Sequence, residues 1–157
     1  MIPKRNYSRT VVMHYDQMKK TITIIILVCS LNLFSQSNQI SGEYFRELGN
    51  EKHLIQYRLY LNQNGTFTFH SYTEIELPPQ KVNKYGKGTW KSEGKIISFQ
   101  TDKDNDIDNL HSLDFDGSKA RFISKSPRDK SDRIVKKSLQ FFESKIFWVE
   151  RLQISKK

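Results

Sequence analysis

The feature that most constrains the fold is a period-two alternation of apolar side chains on both sides of one turn, in LIQYRLYLNQNGTFTFHSY. Successive side chains of a β-strand point to opposite faces. Leu59 and Leu61 therefore share one face before the turn, and Phe67 and Phe69 share one face after it. Alternation on both sides of an Asn-Gly pair predicts a hairpin of two antiparallel strands.

The length of the turn decides which side chains of this hairpin meet. A two-residue Asn-Gly loop would pair Leu61 with Thr68 and would set the two apolar faces against each other. A three-residue loop over 63–65 pairs Leu61 with Phe67 and brings the apolar sets together. The sequence therefore predicts the three-residue loop, with Gly65 at the left-handed position, where a missing Cβ avoids strain.

A second hairpin is predicted in NLHSLDFDGSKARFISK, with Asp116-Gly117 as a two-residue turn. This register pairs Leu113 with Ala120 and His111 with Phe122, so that the apolar positions agree. Further strands are predicted in ISGEYFREL, on both sides of a turn at Ser92-Glu93-Gly94, and in KIFWVERLQI.

The segment RIVKKSLQFFE is ambiguous. Val135, Leu139 and Phe142 have helical spacing, but the neighbouring segments are strands, so we favour a strand over 132–143 that forms a hairpin with the last strand around Ser144-Lys145. The total is eight or nine short strands with turn signals every 8–12 residues. This pattern predicts an all-β fold, an antiparallel meander that closes into a small barrel, with a β-sandwich as the alternative.

The start of the chain resembles a bacterial export signal. Lys19 and Lys20 precede an apolar region over 21–34, which is shorter than the ~20 residues that a membrane-spanning helix needs. We expect residues 18–35 to be a helical signal peptide cleaved after Ser35 or Gln36, with an uncleaved membrane anchor as the alternative. Residues 1–17 are expected to be an upstream start assigned in error or an unstructured extension, and 36–157 a single domain. The domain is expected in the periplasm or outside the cell.

Charge and cysteine content limit the function classes. Without residues 1–35 the chain loses five Lys or Arg and one Asp, which lowers its net charge from +9 to +5. The only cysteine, Cys29, lies in the apolar run, so the domain itself has no disulfide and no thiolate site. We predict no nucleic-acid partner, because the excess of positive charge is small and the protein is exported.

The stretches SGEYF, LYLNQNGTFTF, GKGTWKSEGKIISF and FWVERL together resemble the small exported lipocalin-like (calycin-type) proteins of bacteria. The Gly-x-Trp usual at the first strand of that family is replaced by Gly42-Glu43-Tyr44. The resemblance implies an up-and-down barrel that holds an apolar ligand in its lumen or at its mouth.

We therefore expect a non-catalytic binding protein for a small, largely apolar ligand. The last predicted strand places Trp148 and Glu150 on the inward face, where Glu150 is a polar ligand anchor, is turned outward by a bulge, or has a structural partner such as an arginine. The predicted ligand-contacting residues are Tyr57, Leu59, Phe69, Phe99, His111, Phe122, Trp148 and Glu150. A core filled by the same apolar residues, with no cavity, is the competing expectation.

The remaining polar groups do not indicate catalysis. The acidic run TDKDNDIDNL lacks the glycine and the glutamate that a calcium loop requires, so it is expected to be a solvated loop. Glu74 and Glu76 share a strand face but are expected to be surface charges. No nucleophile elbow, phosphate-binding glycine loop or Cys/His arrangement appears. We predict no catalytic residue, no metal and no cofactor.

The basic segment SKSPRDKSDRIVKK is expected to be a solvated loop. It supports the alternative function, an interaction module of the cell envelope that uses an outer surface. That surface would combine the basic segment with outward-facing Tyr60 and Tyr72, and its partner would be an anionic envelope component.

Overall fold

The computed structural model describes residues 18–23 and 39–157. Residues 18–23 form a short helix, in which the Thr23 hydroxyl donates to the Lys19 carbonyl oxygen at 2.9 Å. Within the described ranges, no helix is long and apolar enough to cross a membrane. The expected extension over 1–17, the rest of the signal region, Cys29 and the cleavage site lie outside the described residues.

Residues 40–157 form a compact unit of their own. It contains eight antiparallel strands, and each strand pairs with the next before β8 returns to β1 and closes the barrel. The predicted all-β barrel is confirmed, and the β-sandwich alternative is wrong. The strands are β1 (Gly42–Asn50), β2 (His53–Leu61), β3 (Thr66–Ile75), β4 (Gln80–Glu93), β5 (Ile96–Gln100), β6 (Lys119–Ile123), β7 (Ser138–Glu143) and β8 (Gln153–Lys156).

The β2–β3 hairpin has the predicted register. Leu61 pairs with Phe67 and Leu59 with Phe69. The Gly65 N–H donates to the Asn62 carbonyl oxygen at 3.1 Å, and Gly65 has a φ of 83°. The three-residue loop and the left-handed glycine are therefore confirmed.

The strands differ in length, and this difference leaves one end of the barrel open. β1 to β4 have 9 to 14 residues, whereas β5 to β8 have four to six. β5 pairs with β4 only from Thr89 onward, and β8 pairs with β1 only at Tyr44 and Phe45. The far halves of β1 to β4 consequently continue beyond the closed ring as an open, curved sheet.

The predicted hairpin around Asp116-Gly117 is wrong, although its turn exists. The Ser118 N–H donates to the Phe115 carbonyl oxygen at 2.9 Å, but Ala120 pairs with Ile97 rather than with Leu113. β6 has β5 on one side and β7 on the other, so neither edge is free for residues 111–115. Residues 101–118 instead form a loop that enters the barrel.

Phe115 anchors this loop in the lumen. Its side chain is fully buried and contacts four rings from β3, β5 and β7, with centroid distances of 4.9–6.3 Å. A Cβ added at Gly86 would lie 2.8 Å from the Phe115 ring, so glycine at this position of β4 leaves space for the ring. The loop thereby fills the centre of the barrel.

The strand favoured over 132–143 is confirmed for its second half only, since β7 begins at Ser138. The strand predicted over 145–154 is wrong before Gln153. The Glu150 N–H donates to the Ile146 carbonyl oxygen at 3.2 Å, and Arg151 has a φ of 70°. One helical turn therefore replaces the strand, and the β7–β8 connection runs from 144 to 152 rather than turning tightly at Ser144-Lys145.

The turn between β4 and β5 is shifted toward the C-terminus from the predicted Ser92-Glu93-Gly94, because Glu93 is still part of β4 and pairs with Ile96. Gly94, with a φ of 60°, lies in the two-residue connection. The predicted first strand is confirmed as β1, and the Pro78-Pro79 pair separates β3 from β4 as expected.

Candidate ligand-binding cleft

A cleft of about 260 Å³ lies on the concave face of the open sheet. Tyr57 of β2, Ser71 and Thr73 of β3, and Val82 and Lys84 of β4 supply its floor. Ser71 pairs with Tyr57 and with Lys84, so these three side chains point to the same side of neighbouring strands. The cleft is therefore a direct product of the β2–β3–β4 register.

Trp148 forms the wall of the cleft. It comes from the helical turn between β7 and β8, and its ring stacks on Tyr57 with a centroid distance of 5.7 Å and an interplanar angle of 18°. Its ring centroid is also 6.1 Å from that of Phe69. Stacked aromatic pairs of this kind add about 0.5–1.5 kcal/mol beyond the burial of their area. The stack gives the cleft a flat apolar surface.

Three hydroxyl groups face the cleft: those of Tyr57, Ser71 and Thr73. Tyr57 is 8% exposed and Ser71 6% exposed, yet within the described part of the chain none of the three hydroxyls has a hydrogen-bond partner. Burial raises the pKa of Tyr57, and the nearby Arg46 charge partly opposes that shift. Tyr57 is therefore a protonated phenol at neutral pH and can donate to a ligand.

Two cations flank the aromatic stack. The Lys84 ammonium lies 5.9 Å from the centroid of the Trp148 ring. Arg46 is the β1 residue opposite Tyr57, and its guanidinium donates to the Gln153 carbonyl oxygen at 2.9 Å. No carboxylate lines the cleft. Its surface is thus aromatic in the middle and positive at its margins.

The predicted ligand-contacting residues fall into three groups. Tyr57 and Trp148 line the cleft. Four other predicted residues are 0–4% exposed and pack in the core rather than around an open lumen: Leu59, Phe69, Phe99 and Phe122. The alternation of apolar residues therefore indicates which side chains face the barrel interior. Around these four residues the interior is a filled core and not an open cavity.

His111 and Glu150 lie away from the cleft. The expected placement of His111 among the ligand contacts in the lumen is wrong, because its ring lies beside Tyr85, on the face of β4 opposite to Gly86 and the lumen, and its Nδ1 is 2.9 Å from Asp108 Oδ2. Glu150 is exposed on the helical turn, so its inward placement is also wrong. It faces outward because one helical turn reverses the alternation, and not because of a strand bulge.

The sequence reasoning missed Ser71, Thr73, Val82 and Lys84 as cleft residues. A signal for them exists. On β4, Val82 and Lys84 lie on the same strand face as buried Trp90, because even numbers of residues separate them. On β3, Ser71 and Thr73 likewise share a face with Phe69. The signal is weak because three of these four side chains are polar, whereas the rest of each face is largely apolar.

The other polar groups make local contacts. Glu74 Oε1 lies 2.9 Å from Lys81 Nζ, and this contact, with the Tyr72 hydroxyl as a second donor, holds the pKa of Glu74 below its usual value. The acidic run after β5 is an exposed loop in which Asp102 accepts from the Asn105 amide. No group of three or more metal-ligating side chains occurs among residues 18–23 and 39–157.

The fold and the cleft define the class of this protein: a small closed barrel of eight antiparallel strands with a filled centre and a cleft at one mouth. No protein-family model, no curated protein and no solved structure matches the chain.

Proposed function

We propose that the chain is an exported, lipocalin-like, non-catalytic protein that binds a small, largely apolar molecule in the cleft beside Trp148. The observation that carries this proposal is the pair of hydroxyls of Tyr57 and Ser71, which belong to largely buried residues, are themselves accessible from the cleft, have no partner within the described residues and face an aromatic wall. Ligand sites combine apolar walls with a few well-placed polar groups, and this cleft has both.

The size of the cleft limits the ligand. One water molecule occupies about 30 Å³ of liquid, so a cleft of about 260 Å³ has space for roughly nine water-sized groups. Phe115 and its aromatic neighbours fill the lumen behind it. The part of the ligand inside the cleft is therefore compact, of the size of one or two fused rings, and the filled lumen leaves no path for a chain threaded through the barrel.

Isothermal titration calorimetry with 2-naphthamide, a neutral bicyclic probe of that size, tests the proposal. Trp148→Ala removes the stacking wall and should weaken the binding at least about fivefold, since stacking of a ring on an aromatic side chain contributes about 1–3 kcal/mol. Phe147→Ala is the matched control, because Phe147 is the neighbouring residue, is 84% exposed and does not line the cleft. Unchanged affinity in Trp148→Ala, with both variants folded, would overturn the proposal.

Export is tested by native mass spectrometry of the protein recovered from the cells that make it. A chain that has lost everything through Ser35 or Gln36 supports the cleaved signal. A chain that begins at Met18 indicates an uncleaved anchor, and one that begins at a lipid-modified Cys29 indicates a lipoprotein. A bound adduct of a few hundred daltons would identify the ligand class directly.

The alternative, an envelope-interaction module, rests on the basic segment over 125–137. Arg133 pairs with Asp129 at 2.7 Å, but within the described chain Lys130, Lys136 and Lys137 form no ion pair. This segment joins β6 to β7, whereas Tyr60 lies on β2, on the opposite side of the closed ring. The basic segment and the tyrosines therefore do not form one patch, and the interaction would depend on the charges alone.

Co-sedimentation with vesicles that contain phosphatidylglycerol tests this alternative. The double variant Lys136→Glu, Lys137→Glu should abolish co-sedimentation, while Lys91→Glu, an exposed change on β4, should retain most of it. Equal loss in both variants would indicate a nonspecific effect of net charge, and the absence of binding by the unchanged protein would exclude the alternative.

A further inference from the structure

The polar groups that line the cleft are three hydroxyls, one ammonium group and the indole N–H of Trp148. The cleft therefore offers positive charge and hydrogen-bond donors, without a carboxylate to accept from a cationic ligand. Such a lining favours a negatively charged group over a positive one.

Lys84 differs from the two lysines nearest to it on β4. Lys81 lies 2.9 Å from a Glu74 carboxylate oxygen, and Lys87 lies 3.1 Å from an Asp108 carboxylate oxygen. Within the described residues no carboxylate lies within ion-pair distance of Lys84, whose ammonium is instead positioned over the edge of the cleft by Trp148. Of these three cations, Lys84 alone is available to a ligand.

Arg46 strengthens the positive field from the other side. It lies opposite Tyr57 on the neighbouring strand, and its charge acts on the Tyr57 phenol. The Ser71 and Thr73 hydroxyls lie on the strand between Tyr57 and Lys84, so they can donate to an oxygen that Lys84 also contacts. Hydrogen bonds to a charged acceptor contribute more than those to a neutral one.

We infer that the ligand is a compact aromatic or cyclic acid, whose ring packs on Trp148 and whose carboxylate binds Lys84 with the Ser71 and Thr73 hydroxyls. This inference rests on the proposed function, because it assigns the chemical class of the ligand of the same cleft. It goes beyond that function, because an apolar site alone would not distinguish an acid from its neutral analogue.

The experiment compares 2-naphthoate with 2-naphthamide, which have nearly the same shape and differ in charge, by calorimetry on the full domain. The unchanged protein should bind the acid about tenfold more tightly than the amide, as expected for a charge-assisted hydrogen bond of about 1.5 kcal/mol. Lys84→Gln should remove this preference, because it should weaken binding of the acid far more than binding of the amide. Lys91→Gln, on the same strand but on its outer face, is the control and should keep the preference.

Salt provides a second readout. Raising the ionic strength should weaken binding of the acid and leave binding of the amide unchanged, because only the acid interacts with Lys84 as a charge. Equal affinities for the two probes, both insensitive to Lys84→Gln, would overturn the inference while the proposed function stands. Failure of both probes to bind the folded protein would overturn the two together.

Discussion

The filled centre of the barrel leads to a strong prediction about Phe115. Truncation to alanine removes a fully buried ring that contacts Phe67, Phe69, Phe99 and Phe141. Phe→Ala changes in cores cost about 3–5 kcal/mol, and the cost rises where the surroundings cannot collapse into the cavity.

Collapse is restricted at this position. The Phe115 N–H donates to the Thr101 hydroxyl at 3.1 Å, and the Leu113 N–H donates to the Tyr85 carbonyl oxygen at 3.0 Å. The first bond joins the two ends of the loop and the second joins the loop to β4, where the Thr101 hydroxyl also donates to the Lys87 carbonyl oxygen at 3.2 Å, so we expect a loss of about 4 kcal/mol. With a typical urea slope of about 2 kcal/mol/M, the unfolding midpoint should fall by about 2 M.

Equilibrium unfolding in urea, followed by far-UV circular dichroism, measures this loss. Phe142→Ala is the control, because Phe142 is the next residue of β7 after Phe141 and is 43% exposed; it should change the free energy of unfolding by no more than about 0.5 kcal/mol. Benzene should partly restore the stability of Phe115→Ala by occupying the new apolar cavity. A loss below about 1 kcal/mol, or no larger than in the control, would refute a lumen filled by Phe115.

Two further predictions concern a turn and a loop. Gly65→Ala places a Cβ at a φ of 83° and should cost about 1 kcal/mol in the same urea assay; an unchanged midpoint would show that the β2–β3 turn does not require a left-handed residue. Asp108 accepts backbone N–H groups of Leu110 and His111 and pairs with Lys87, which holds its pKa well below the usual range. Its stabilising contribution is therefore present above the unfolded-state pKa and is lost as the pH falls toward the folded-state pKa, so Asp108→Asn should destabilise the protein more at pH 7 than in strong acid. An equal effect of Asp108→Asn at both pH values would contradict this linkage.

The predictions about the cleft concern ligand binding, so each variant must also be tested for loss of stability. Lys84→Gln changes an exposed side chain on β4, so it should alter binding with little effect on the unfolding midpoint, whereas Trp148→Ala also removes the packing of Trp148 on Tyr57 and Phe69 and should lower the midpoint as well. Unfolding measurements on both variants therefore separate loss of the site from loss of the structure.

The sequence by itself determined the pairing of β2 with β3, which one short turn joins. The register of β2 with β3 was predictable because only one turn length brings Leu59 and Leu61 against Phe69 and Phe67. The same alternation places Leu113 and Phe115 on one face, and both are buried although their segment is not a strand.

Only the tertiary structure decided where the partners of the irregular segments lie. β5 and β7 pair with the two edges of β6, so the segment that contains Phe115 cannot pair with β6, and Phe115 lies in the lumen instead. The local sequence pattern does not indicate which strands pair with β6. Trp148 reaches Tyr57 because a helical turn, and not a strand, follows β7. The cleft lies where the long strands extend past the short strands of the same barrel. Its residues come together through contacts between segments that are distant in sequence, so sequence spacing alone does not predict that Lys84 lies beside Trp148.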